Sequence, residues 1–139
     1  MLSQTAEYAL RAAVWLAQHS DRPQTTQEIA AGMQVPAMYL SKVMQLLVRG
    51  GTVHAQRGRS GGFILVKPAG QVSLYEVIHA VDPFRRITKC PLGLARHCKQ
   101  LCPLHTKLDR SLEAIENDFK STFLADLVEP RQIGAATHA

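Results

Sequence analysis

Apolar residues recur at helical spacing from the start of the chain. Ala6, Leu10, Ala13, Val14 and Ala17 form one stripe, which Tyr8, Trp15 and Leu16 widen, so the pattern predicts a first helix over 5–18. The polar turn HSDRPQT, with Pro23, stops it. Thr25 stands three residues before Glu28, the capping-box spacing, and Ile29, Ala30 and Met33 supply a short buried face. That predicts a second helix of about two turns, closed by Gly32 in the left-handed conformation. Pro36 suits the first turn of a third helix, over about 37–49. There Leu40, Val43, Met44 and Leu47 lie at i, i+3, i+4 and i+7 and face the core. Met38, Tyr39, Ser41, Lys42, Gln45 and Arg49 are left on the outside.

Gly50 and Gly51 end that helix, and TVHAQ, GRSGG and FILV read as two short strands around a glycine-rich turn carrying Arg57, Arg59 and Ser60. Ser73 and Glu76 repeat the capping-box spacing ahead of Leu74, Val77, Ile78 and Val81, and Asp82-Pro83 terminates this fourth helix. The period then disappears over 84–103, read as a loop with at most a helical turn near Leu94–Gln100; so long a connection points to a function. Beyond it Leu104, Leu108, Leu112, Ile115, Phe119 and Phe123 step by four, four, three, four and four. The seam is narrow and too long for the remaining chain to cover, which predicts a second copy of the chain across a dimer interface. The expected fold is mainly α: a winged helix-turn-helix with a small β-wing over 1–83, a cysteine-rich loop over 84–105, a long dimerisation helix over 106–128 and a disordered tail over 129–139.

A chain of 139 residues can bury one ordinary core without staples. Lys and Arg outnumber Asp and Glu by 16 to 11, giving a net charge of +5 and favouring an anionic partner. No window approaches the roughly 20 apolar residues of a membrane span, and the first residues carry Glu7 without a basic leader, so a cytoplasmic protein with no membrane contact is expected. The outer face of the third helix offers Tyr, Ser, Lys, Gln and Arg without Asp or Glu, a set able to reach base edges and phosphates in the major groove of double-stranded DNA. Arginines at a slim hairpin tip suit the adjacent backbone or a narrow minor groove. An ordinary amphipathic surface helix with solubilising arginines is the plain alternative for each feature alone; turn, wing and basic balance together favour DNA.

The cysteines Cys90, Cys98 and Cys102 all fall in CPLGLARHCKQLCPLH, with His97 and His105 interspersed. An odd, crowded set suits a reduced compartment and a ligand cluster better than disulfides. Three thiolates and a histidine fit an iron–sulfur cluster or tetrahedral zinc; metal-free thiols, buried or switching, are the third option. Neither C-x-x-C, H-E-x-x-H nor a nucleotide-binding glycine loop occurs, which speaks against a zinc or thiol enzyme.

YLSKVMQLLVRGGTVHAQRGRSGGFILVKP followed by VSLYEVIHAVD resembles the Rrf-two family of bacterial winged-helix regulators. The likeness spans about residues 1–128, and the RG-x-x-GG-F wing after a Tyr-Leu helix is its most specific part. It implies a homodimeric transcriptional regulator, joined by the long C-terminal helices and bound to a roughly palindromic operator, sensing redox, nitric oxide or iron status through a 2Fe–2S or 4Fe–4S cluster. Cluster-carrying members use C-x5-C-x5-C where this chain has C-x7-C-x3-C. Cys90 and Cys102 keep the outer interval and Cys98 is displaced by two. For a fourth ligand the resemblance implies either His105, three residues past the last cysteine, or an acidic residue near the N-terminus of the other subunit, a place Glu7 matches. A surface ion pair with Arg11 at i+4 is the alternative role for Glu7. A metal-free regulator answering to thiol chemistry or to a partner protein remains the second functional reading.

Overall fold

The computed structural model of the chain describes residues 2–85, 92–93 and 103–128. The three cysteines, His97, the turn expected near Leu94–Gln100 and the tail over 129–139 lie outside these residues. Among the described residues six α-helices and one hairpin follow in order: α1 Gln4–Gln18, α2 Thr26–Met33, α3 Ala37–Arg49, β1 Val53–Gln56, β2 Gly62–Leu65, α4 Leu74–Val81, α5 Pro103–Ser121 and α6 Leu124–Val128, with a 3₁₀ turn at Ala69–Gln71. The expected mainly α winged helix-turn-helix is what forms.

The core is built on α1. Its buried face is mostly alanine (Ala6, Ala9, Ala12, Ala13) with Leu16, and side chains this small let α2, α3, α4 and α6 all approach one helix. Leu40, Val43, Met44 and Leu47 of α3 enter that core as their spacing predicts, beside Ile29, Val77, Ile78 and Leu124. The two eight-residue helices, α2 and α4, each start at a side-chain cap: Thr25 Oγ1 accepts the Glu28 N–H at 3.1 Å and Ser73 Oγ the Glu76 N–H at 3.2 Å. Only the second box is reciprocal, since Glu76 also accepts the Ser73 N–H at 2.9 Å whereas Glu28 turns away to Arg22 at 3.1 Å.

α2 does not end at Gly32. It runs to Met33, and the left-handed residue is Gln34, with φ 56°. Gly32 serves closeness instead: the Trp15 ring lies where its Cβ would stand. Trp15, expected in the core, is half-buried; its indole N–H donates to Gln24 Oε1 at 3.0 Å and its ring stacks on His19.

Gln24 is the element the polar turn concealed. Its N–H donates to the Phe63 carbonyl at 2.9 Å and its carbonyl accepts the Phe63 N–H at 2.7 Å, so one residue adds a third strand position to the β1–β2 hairpin. Gly62 next to it has φ 147°, and a Cβ there would come within 2.5 Å of the Gln24 carbonyl oxygen. The wing is thereby fastened to the α1–α2 turn rather than projecting as a free ribbon.

The expected long C-terminal helix is shorter than its seam. α5 ends at Ser121; Phe123, expected on it, instead bridges Ser73, with Leu74 N–H donating to the Thr122 carbonyl and Leu124 N–H to the Val72 carbonyl, both at 2.9 Å. This stitch lays α6 on α1 and buries Leu124 completely. Phe119 reaches Phe84 at 5.6 Å between ring centres, whereas Leu104 and Leu108, a few turns earlier, stay exposed.

Candidate nucleic-acid interface

Packing Leu40, Val43, Met44 and Leu47 inward fixes what α3 presents outward. Met38, Tyr39, Ser41, Lys42, Gln45 and Arg49 are all exposed on it. Ser41 Oγ donates back to the Ala37 carbonyl at 3.2 Å, leaving its oxygen's lone pairs outward. At the hairpin tip Arg57, Arg59 and Ser60 are likewise exposed, held by the turn in which the Gly61 N–H donates to the Gly58 carbonyl at 3.0 Å. The tip spells G-x-S-x-G over Gly58–Gly62, but a nucleophile elbow joins a strand to a helix and this turn joins two strands, so Ser60 lacks that setting.

Between Glu28 and Glu76 the chain contains no Asp or Glu, and its cations there are Lys42, Arg49, Arg57, Arg59 and Lys67. Lys67 is neutralised by Glu76 at 2.7 Å. The other four have no carboxylate partner among the described residues. Helix α3 and the wing together therefore form a stretch of one sign, with a field that concentrates anions.

Tyr39 differs from its neighbours. Its hydroxyl is 2.8 Å from Thr5 Oγ1 of α1, and its ring meets Tyr8 edge-on at 5.2 Å. Tyr8 in turn has its hydroxyl bonded by Gln4 Nε2 at 3.0 Å and carries the Arg11 guanidinium 5.7 Å above its ring. Sequence reading assigned Tyr8 to the core and did not single out Thr5 or Gln4; that Tyr8 stands three positions after Thr5 on one helix face was the available signal. This α1–α3 contact fixes the first turn of α3 in position, and Arg11 over Tyr8 takes the place of the expected Glu7–Arg11 pair.

The candidate metal ligands are placed only in part. Glu7 is exposed on the first turns of α1, and His105 is partly buried on the first turn of α5. No three His, Cys, Asp or Glu side chains among the described residues gather as a metal site. Cys90, Cys98 and Cys102 are outside those residues, so the expected convergence of thiolates is neither met nor contradicted. Three thiolates with one imidazole or carboxylate are a donor set that suits an iron–sulfur centre. Among the described residues no helix is long and apolar enough to cross a membrane.

The profile of the Rrf2 family, described as iron-dependent transcriptional regulators, matches residues 2–130. An HTH-type transcriptional regulator named in Aquifex aeolicus is 30% identical over 132 residues, covering 92% of this chain and 91% of that protein. Among solved structures, CymR of B. subtilis, titled its global cysteine regulator, superposes with a TM-score of 0.75 at 21% identity, over 92% of this chain and 95% of its own. IscR of T. potens gives 0.75 at 22%, over 92% and 85%.

Proposed function

The chain belongs to the Rrf2 family of transcriptional regulators, and from that premise we propose that a homodimer of it grips an approximately palindromic DNA duplex through α3 and the wing. The observation that carries the reading is the acid-free stretch from α3 through the hairpin, whose exposed cations have no carboxylate partner among the described residues. Lys42, Gln45, Ser41, Met38 and Tyr39 enter the major groove; Arg49, Arg57, Arg59 and Ser60 address flanking phosphates and the neighbouring groove. The relatives by name are regulators rather than enzymes. Binding is tested by selecting duplexes from a random pool and titrating the winner. Arg57→Ala should weaken it several-fold and lower the log–log salt slope by about 1, as loss of one phosphate contact does. Unchanged affinity and slope would take the wing out of the interface.

The signal is proposed to enter through residues 84–105. Cys90, Cys102 and Cys98, with His105 or Glu7 completing the set, would hold an iron–sulfur cluster, which supplies a centre responsive to oxidants, nitric oxide or iron supply. This stretch joins α4 to α5, so a change in how it folds alters where α5 stands relative to the reading heads. Half-sites one helical turn apart tolerate little change in that spacing, and a tenfold effect on affinity requires only about 1.4 kcal/mol of difference between two geometries. Oxygen-protected protein should be brown and contain iron and sulfide, with the colour lost in Cys90→Ala and in Cys102→Ala. The displaced Cys98 favours the second reading, a thiol-responsive regulator without metal; colourless, iron-free protein whose DNA affinity changes on thiol oxidation would establish that one instead.

A further inference from the structure

Met38 stands apart on the interface because it is apolar. It is the most exposed large hydrophobic side chain of the described residues, at 85%, and beyond its neighbours Pro36 and Tyr39 the outer face of α3 is polar or basic. Exposed methionine gains nothing from water, and its position at the second residue of α3 is that from which a recognition helix reaches base edges. Helical Cα–Cβ bonds tilt toward the N-terminus, so this side chain projects ahead of the helix rather than along its flank.

The surroundings are shaped as well as apolar. Met38, Tyr39, Pro36 and Tyr8, with Gln4 and Lys42, line a depression of about 480 Å³ between the starts of α1 and α3. Its walls are held: Tyr39 by Thr5 at 2.8 Å, Tyr8 by Gln4 at 3.0 Å, and the two rings by each other. A positioned apolar surface beside a lysine, on a helix that carries no carboxylate, is complementary to a small apolar group attached to a polyanion. In the major groove one group answers that description, the C5-methyl of thymine.

Resting on the reading of α3 as the groove-entering helix, we propose that Met38, backed by Pro36 and the Tyr39 ring, reads a thymine methyl at one position of each half-site. Lys42, one turn on, anchors the neighbouring phosphate or base edge. Specificity at that position then comes from contact with a methyl group, not from a hydrogen bond.

The test uses the intact protein and the duplex it selects from a random pool, with each thymine replaced in turn by deoxyuridine, which removes the methyl and nothing else. One position per half-site should lose affinity roughly fourfold in wild type, the worth of about one buried methyl group. The same replacement should have no effect on Met38→Ala, which is weakened already, and should retain its effect on Met38→Leu, which keeps an apolar side chain of similar size. Met38 is exposed, so neither variant disturbs the core. If no deoxyuridine position matters to wild type, or if it matters equally to wild type and Met38→Ala, the assignment of Met38 is wrong while DNA binding stands. If the protein selects no duplex at all, the groove-entering role of α3 falls, and the methyl contact with it.

Discussion

Gly32 tests which of two local effects governs a helix interior. Alanine there would relieve the backbone entropy of glycine and on propensity alone stabilise α2 by about 1 kcal/mol. Its Cβ would come within 2.1 Å of the Trp15 ring, and that ring cannot simply swing away, because its N–H is bonded to buried Gln24 and its face is stacked on His19. Overpacking of this kind costs about 1–3 kcal/mol, so the steric term wins. Gly32→Ala should lower the urea midpoint with an unchanged slope, and a raised midpoint would mean that Trp15 yields freely. The same residue marks a limit of sequence reading. A glycine near a helix end suggests a left-handed cap, but the ring that demands it lies seventeen positions away in α1, and local pattern carries no trace of that approach.

Among the elements, α4 is the one whose sequence signal and structure agree in detail. Ser73 and Glu76 form the reciprocal box, and Lys67 adds a bond to the same carboxylate at 2.7 Å. Partial burial of Glu76 pushes its pKa up, but the Lys67 bond and charge together with the Ser73 donors outweigh this, and the pKa sits below its ordinary 4.5. A depressed carboxylate contributes stability that is fully present above its unfolded value and is lost as pH falls through the folded one. Unfolding stability should therefore decline as acid is added from about pH 4.5 downward, and the decline should be shallower in Glu76→Gln. Ser73→Ala should cost about 1 kcal/mol at neutral pH, read by urea denaturation. Helices with local signals, namely periodic apolar residues in α3 and caps at Thr25 and Ser73, were legible. The Gln24–Phe63 bridge and the Ser73–Phe123 stitch were not, because each depends on one backbone pair brought together by the whole fold. The interface shared this division: its exposed residues followed from what the core of α3 claims, but the fixing of Tyr39 by Thr5 crosses between elements.

At the scale of the molecule, α5 is helical without a buried residue. At its C-terminal end Phe119 meets Phe84, just past α4, and Lys120 lies 4.7 Å over the ring of Tyr75 on α4. Toward the N-terminus the seam of Leu104, Leu108, Leu112 and Ile115 is exposed or half-buried, with Leu104 and Leu108 near 40%. A helix of nineteen residues is marginal on propensity alone and takes its stability from covering an apolar face. In the proposed homodimer a second α5 laid along the seam would supply that cover, and a two-fold pair of chains would present two α3 helices to successive major-groove turns. Leu108→Asp places a charge in the middle of the proposed seam, far from the core, so the winged domain should keep its fold while the pair comes apart. Sedimentation equilibrium should then show half the wild-type mass. Operator affinity should fall by orders of magnitude, because the second half-site would no longer be held near the first at high effective concentration. Binding to a single half-site should be little changed. A Leu108→Asp protein that kept the wild-type mass would remove α5 from the interface, and one that lost mass but not operator affinity would show that each chain binds DNA alone.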